Sequence, residues 1–184
     1  MAEELDAQTK LKVYKLVLNR YRDLISEKES RSITEIRARV SPYDDVIRRL
    51  SYSFTHDMVP YNPATQFMAA AERAMEYMRK IKTLEFAFTF WMDFKEMDDL
   101  KIATAMDKAI MLAAILRALE SSDVRVQVSR KGKPSVRFSW DGRQYVFVPE
   151  SGSLLMGDDV SKLVSDDPIA YSFNDNVYEN YEEL

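Results

Sequence analysis

Apolar residues at Leu11, Tyr14, Leu18, Tyr21 and Ile25 recur at spacings of three and four, the period of an amphipathic helix, with Lys10, Lys12, Arg20 and Asp23 on its other faces. The spacing predicts a long first helix. The pattern breaks at 30–32, where Ser32 and Glu35 stand at capping-box spacing and open a short helix over 33–40 that Pro42 ends. A third helix is expected over 43–52. The stretch 55–63 carries two prolines and forms the best internal boundary, because Asn62-Pro63 places a side-chain cap before a proline at the first helical position. A strong helix over 63–82 follows from it.

Beyond Thr83 the character changes. Residues 84–91 are rich in Phe and Thr and poor in helix formers, which predicts a strand or an extended segment, and helix returns at Asp93. Thr104 opens the most apolar helix of the chain, with Asp107 three residues on and Ala109, Leu112, Ala113, Leu116 and Leu119 on its inner side. From Val124 the period switches to two: Val124, Val126, Val128, then Val136, Phe138, Trp140, then Tyr145, Phe147. With Lys131-Gly132-Lys133-Pro134 and Asp141-Gly142 as turns, this reads as a three-stranded antiparallel meander. The expected class is therefore α+β, a helical N-terminal half and a central buried helix packed on a small antiparallel sheet. The organisation expected is a helical region over 1–60, a core over 61–150, and an acidic extension over 151–184, partly helical near 160–164 and otherwise irregular.

Composition narrows the chemistry. The 184 residues, 46% of them apolar, suffice for one compact domain. Cysteine is absent and His56 is the single histidine, which removes thiol nucleophiles, disulfides and every zinc site built from Cys or several His. All four glycines lie at Gly132 or later, so neither a phosphate-cradling loop nor a dinucleotide fingerprint can be written. A net charge of −4 gives no global reason to expect nucleic acid or an anionic membrane as partner. The N-terminal residues lack the features of a signal peptide, and the longest strongly apolar run, 109–116, is too short to span a bilayer, so a cytoplasmic protein without membrane partners is expected.

One stretch resembles a known family. Phe90-Trp91-Met92-Asp93-Phe94, then 100–109 with Asp107-Lys108-Ala109, then the apolar run 110–119, is similar to the transglutaminase-like superfamily, of papain-like cysteine-protease fold. There a Gly-Asp-Cys-Asp-Asp-Lys-Ala type signature opens the central helix and a strand meander follows. The likeness covers about 71–149. It implies a cysteine at the start of the helix, a histidine at the start of the second strand and an aspartate at the end of the third. Those positions fall on Ala105, Ser135 and Val148. A thiolate needs an adjacent imidazole, oriented by an acid, and none of the three residues supplies such a group. The resemblance thus implies a pseudoenzyme, with no cofactor and no metal.

A local charge pattern offers a different site. Arg125, Arg130, Lys131, Lys133, Arg137 and Arg143 all fall in the meander, opposed there only by Asp141, whereas the segment 150–184 holds nine acidic residues against Lys162. Read as a binding surface, the basic meander meets a protein partner, a second subunit or the acidic tail. Read as a nucleic-acid site it meets phosphate, against which stands a pI near 5.2. A carboxylate-dependent hydrolase using Asp98, Asp99 and Asp107 requires those three to converge. His56, beside Asp57 in the proline-flanked stretch, reads as a surface or structural residue. The function expected is that of a non-catalytic binding or scaffold module, one component of a protein assembly such as a virion or multi-subunit complex.

Overall fold

The computed structural model describes residues 6–86 and 88–181 and packs them as two units, 6–31 with 86 and 88–91, and 32–85 with 92–181. In the first unit, helix α1 (Ala7–Lys28) starts at Asp6, whose carboxylate accepts from the backbone N–H of Gln8 and Thr9, and none of its residues is buried. The rings of Phe86, Phe88 and Phe90 cluster with centroids 5.4–6.4 Å apart, and the N–H of Thr89 donates to Ser26 Oγ at 3.2 Å. Residues 86 and 88–91 form no regular strand, the extended alternative of the sequence reading.

The second unit is α+β. Its helices begin where the capping residues stand: α2 (Ile33–Ala38) after Ser32 in a full capping box with Glu35, α3 (Asp45–Thr55) after Asp44, and α4 (Pro63–Lys80) after Asn62 with proline at its first position. Helix α5 (Phe94–Leu100) opens with a second capping box, Asp93 with Glu96, and ends at Lys101 in the left-handed region. Two short strands, β1 (Lys82–Thr83) and β2 (Ile102–Ala103), pair in parallel and lead into α6 (Ala105–Ala118), capped by Thr104. Ten consecutive residues of α6, Asp107 to Leu116, are buried. A helix apolar on every side must be enclosed on every side, and α3, α4 and the sheet supply the enclosure.

The meander forms as read, with β3 (Arg125–Ser129), β4 (Pro134–Trp140) and β5 (Arg143–Val148) antiparallel. Asp141 and Gly142, at φ 49° and 68°, make the tight turn between β4 and β5, the combination that Asp-Gly adopts at least cost. The sheet is larger than the three strands expected. Strand β6 (Ser153–Met156) pairs with β5, helix α7 (Asp158–Asp166) follows, and β7 (Ile169–Phe173) joins the far side of β3 before β8 (Tyr178–Asn180) turns back on it. The order is β6-β5-β4-β3-β7-β8. The segment expected as an irregular acidic extension therefore supplies three strands, both sheet edges among them. Of its described acidic residues, Asp158, Asp159 and Asp166 lie on α7 and Glu179 on β8, while Ala170, Ser172 and Phe173 are buried. Among the described residues no helix is long and apolar enough to cross a membrane.

Candidate binding surfaces

The period of two sorts the sheet into faces. Val136, Phe138, Tyr145 and Phe147 point toward the helices, with Phe138 edge-on to Phe67 of α4 at 5.9 Å and the Arg79 guanidinium over the Phe147 ring at 5.9 Å. Ser135 and Val148 alternate onto the opposite face. There they line a cavity of about 50 Å³ shared with Ser129, Leu163 and Asp167, so α7 covers them. Ala105 begins α6 on the helical side and lines no part of this cavity. The structure thus brings Ser135 and Val148 together and leaves Ala105 apart from them.

The charged residues at the start of α6 are structural. Thr104 Oγ1 donates to Asp107 Oδ2 at 2.8 Å and accepts from the Asp107 N–H at 3.1 Å. Arg39 approaches Asp107 Oδ1 at 3.6 Å and also donates to the carbonyl of Met92. Asp107 is fully buried, and that burial raises its pKa against the opposing pull of Thr104 and Arg39. Lys108 Nζ donates to the Ile81 carbonyl and to Thr83 Oγ1, both at 3.0 Å, and burial lowers its pKa. Asp107 and Lys108 therefore tie α6 to α2, to the segment before α5 and to β1. Nothing local in the sequence around Arg39 announces its part in this.

The six basic residues of the meander divide. Arg130, Lys131 and Lys133 sit at the β3–β4 turn against the acidic segment: the Arg130 N–H donates to the Pro168 carbonyl at 2.8 Å, the Lys131 N–H to Asp167 Oδ1 at 3.2 Å, and Lys133 Nζ lies 3.6 Å from Glu150. Ser129 Oγ donates to the other Asp167 oxygen at 2.7 Å. Arg125 and Arg137 stand opposite one another on the sheet face away from α6. Arg125 pairs with Glu179 at 2.9 Å, and the Tyr181 hydroxyl and Arg125 together hold that carboxylate below its ordinary pKa. Arg143 is exposed at the β4–β5 turn and lines an open hollow with Gln144, Met156 and Val160. Opposite charges thus meet within one chain at the turn and on the face, through residues that the acidic composition of the tail foreshadowed.

The three aspartates proposed for a hydrolase do not converge. Asp98 accepts from Tyr77 Oη at 2.6 Å and pairs with Arg49 and Lys101, Asp99 takes Lys95 at 2.9 Å, and Asp107 belongs to Thr104 and Arg39. Among the described residues no group of three or more His, Asp or Glu could hold a metal ion. His56 caps the end of α3, its Nδ1 2.9 Å from the Ser53 carbonyl, while the hydrogen bond from Arg73 holds Asp57 down to about 2.

A surface that sequence reasoning did not single out as a site is α1. Leu11, Val13, Tyr14, Leu16, Val17, Leu18, Tyr21 and Leu24 are each between 41% and 62% exposed. Isolated exposed apolar residues are ordinary, but Leu11, Tyr14, Val17, Leu18, Tyr21 and Leu24 share one side of the helix and form a continuous patch of the kind that marks an interface. Comparison of the chain with family models, with curated proteins and with solved structures finds no match.

Proposed function

We propose that this chain is a non-catalytic binding module of a protein assembly, transglutaminase-like in the order of its elements but without a shared catalytic centre at Ala105, Ser135 and Val148. The observation that carries the reading is α1, a 22-residue helix that buries none of its side chains while eight large apolar ones stand exposed. Folding alone gives no reason to keep such a surface, and docking onto another molecule does. The non-catalytic part is supported by Ala105, Ser135 and Val148, which offer no thiolate, imidazole or carboxylate, and by the separate partners of Asp98, Asp99 and Asp107. In native lysate the chain should migrate well above its 21.4 kDa mass, and L11E/L18E should return it to that mass. A wild-type chain running as a 21.4 kDa species would overturn the assembly reading.

Nucleic-acid binding is the second reading, favoured by the Arg125–Arg137 juxtaposition on the outer sheet face. Against it, Arg125 is already paired with Glu179 and Lys133 lies 3.6 Å from Glu150, both carboxylates of the chain's own acidic segment. Micromolar binding of DNA or RNA near physiological salt, abolished by R125A/R137A, would favour it over the protein-partner reading.

A further inference from the structure

The apolar stripe of α1, exposed from Leu11 to Leu24 and half-buried at Ile25, is ordered more strictly than an adhesive patch requires. Leu11, Tyr14, Leu18, Tyr21 and Ile25 alternate at three and four residues, the seam of a coiled coil, and Val17 and Leu24 widen it by one row. At 3.6 residues per turn the stripe is about 140° wide, the width of a helix packed in a bundle. Lys15 and Arg22, seven residues apart, run along one edge, and Arg20 stands beyond the other. The two acidic residues of the helix, Asp23 and Glu27, lie on its far side, with Asp23 3.5 Å from Arg22. Six basic residues against two acidic give α1 a net charge of +4 in a chain of net −4.

That edge charge selects the occupant. A second copy docked in parallel sets Lys10 against Lys15 and Val17 against Arg22, and an antiparallel copy sets the Lys15 and Arg22 rows against each other. Both arrangements set like charges against each other across these rows and neither makes an attractive pair, so self-pairing is disfavoured by the flanks of the seam. An amphipathic helix with Asp or Glu at its flanking positions meets the same surface with apolar residues in register and opposite charge along the edge. We infer that α1 is the docking helix for an acidic amphipathic helix of a different protein; this rests on the assembly reading above and names its partner class.

The test uses the full chain and two labelled synthetic peptides of about four heptads with Leu at the seam, one carrying Glu at the flanking positions and the other Lys. Fluorescence anisotropy should show the Glu peptide binding at least about tenfold tighter than the Lys peptide, with the preference weakening as salt is raised. K15E/R22E should reverse the preference, and L11E/L18E should abolish binding of both peptides. Since α1 buries no residue, urea denaturation should show these variants as stable as the parent. Equal binding of the two peptides, binding of neither, or failure of K15E/R22E to shift the preference overturns the inference. So does a dimer in sedimentation that L11E/L18E dissolves, or preferential binding to phosphatidylglycerol-containing vesicles. A large native complex that depends on Leu11 and Leu18, alongside indifference to peptide charge, would retain the assembly reading and remove only this one.

Discussion

Helices α1 and α6 are alike in how they begin and opposite in where they end up. Each has a side-chain cap, Asp6 for α1 and Thr104 for α6, and each has apolar residues at helical spacing. Yet α6 buries ten consecutive residues and α1 buries none. Capping and periodicity decide that a segment is helical, whereas the fate of its apolar side chains depends on whether neighbouring elements cover them. The all-round apolar surface of α6 has a single use, as the centre of a core. The stripe on α1, with polar residues opposite it, is left exposed.

The sharpest way to break this contrast is to strip the enclosure. Removing 168–184 takes out β7 and β8, opens the edge of β3 and uncovers the side of the sheet closed by Phe173. The expected result is loss of cooperative urea unfolding; a truncated chain of near-parent stability would return this segment to the status of an appendage. Next in size, Leu112→Ala should cost about 2–5 kcal/mol, the range for emptied core positions. In the same titration Leu18→Ala should stay within about 0.5 kcal/mol, as expected of exposed positions. Similar losses at both would mean that α1 and α6 are not different in kind.

Arg39→Ala should cost about 3 kcal/mol at neutral pH, because it leaves the buried Asp107 carboxylate without its ion-pair partner. Since burial raises the folded-state pKa of Asp107 above the unfolded one, its ionised form weighs against folding above that pKa and the weight lifts as pH falls through it. The penalty of the variant should therefore shrink in acid. An equal cost at pH 7 and pH 4 would show that Arg39 serves something other than Asp107. Smallest of all, Thr104→Ala should cost about 1 kcal/mol of global stability, while Asp6→Ala should lower helix content by circular dichroism and leave the unfolding midpoint in place.

Much of this architecture was legible where local chemistry dictates it. Ser32, Asn62-Pro63, Asp93 and Thr104 mark helix starts that the structure places within a residue, and the alternating valines and aromatics of 124–147 give the three central strands. The third helix begins at Asp45 after an Asp44 cap rather than at Tyr43, because the carboxylate that accepts from Val46 and Ile47 sets the start. The acidic segment was misread because composition averages over it. Asn174-Asp175-Asn176 is a turn signal between two short apolar runs, and Asn174 fixes the hairpin by accepting from the N–H groups of Asn176 and Val177 while donating to the Val124 carbonyl at 3.0 Å. Long-range partners such as Arg39 for Asp107 and Asp167 for Ser129 leave no local trace, since each is a consequence of topology. The alternation of the strands gives the face of Ser135 and Val148, but for the same reason the cover that α7 gives them needed the whole topology to be seen.

The position of β3 between β4 and β7 bears on how a ribosome would deliver this protein. One neighbour follows β3 within a short turn, whereas the other emerges about 40 residues later. From the emergence of β3 out of the ribosome until β7 has followed it, the nascent sheet presents an open row of peptide groups at β3, with Val126 and Val128 beside it, the surface on which unfinished chains join one another. The speed of translation over that interval and access to a holdase therefore bear directly on yield. A pause that holds β7 inside the ribosome after β3 has emerged should enrich aggregated chains, while the same pause after β7 has emerged should not.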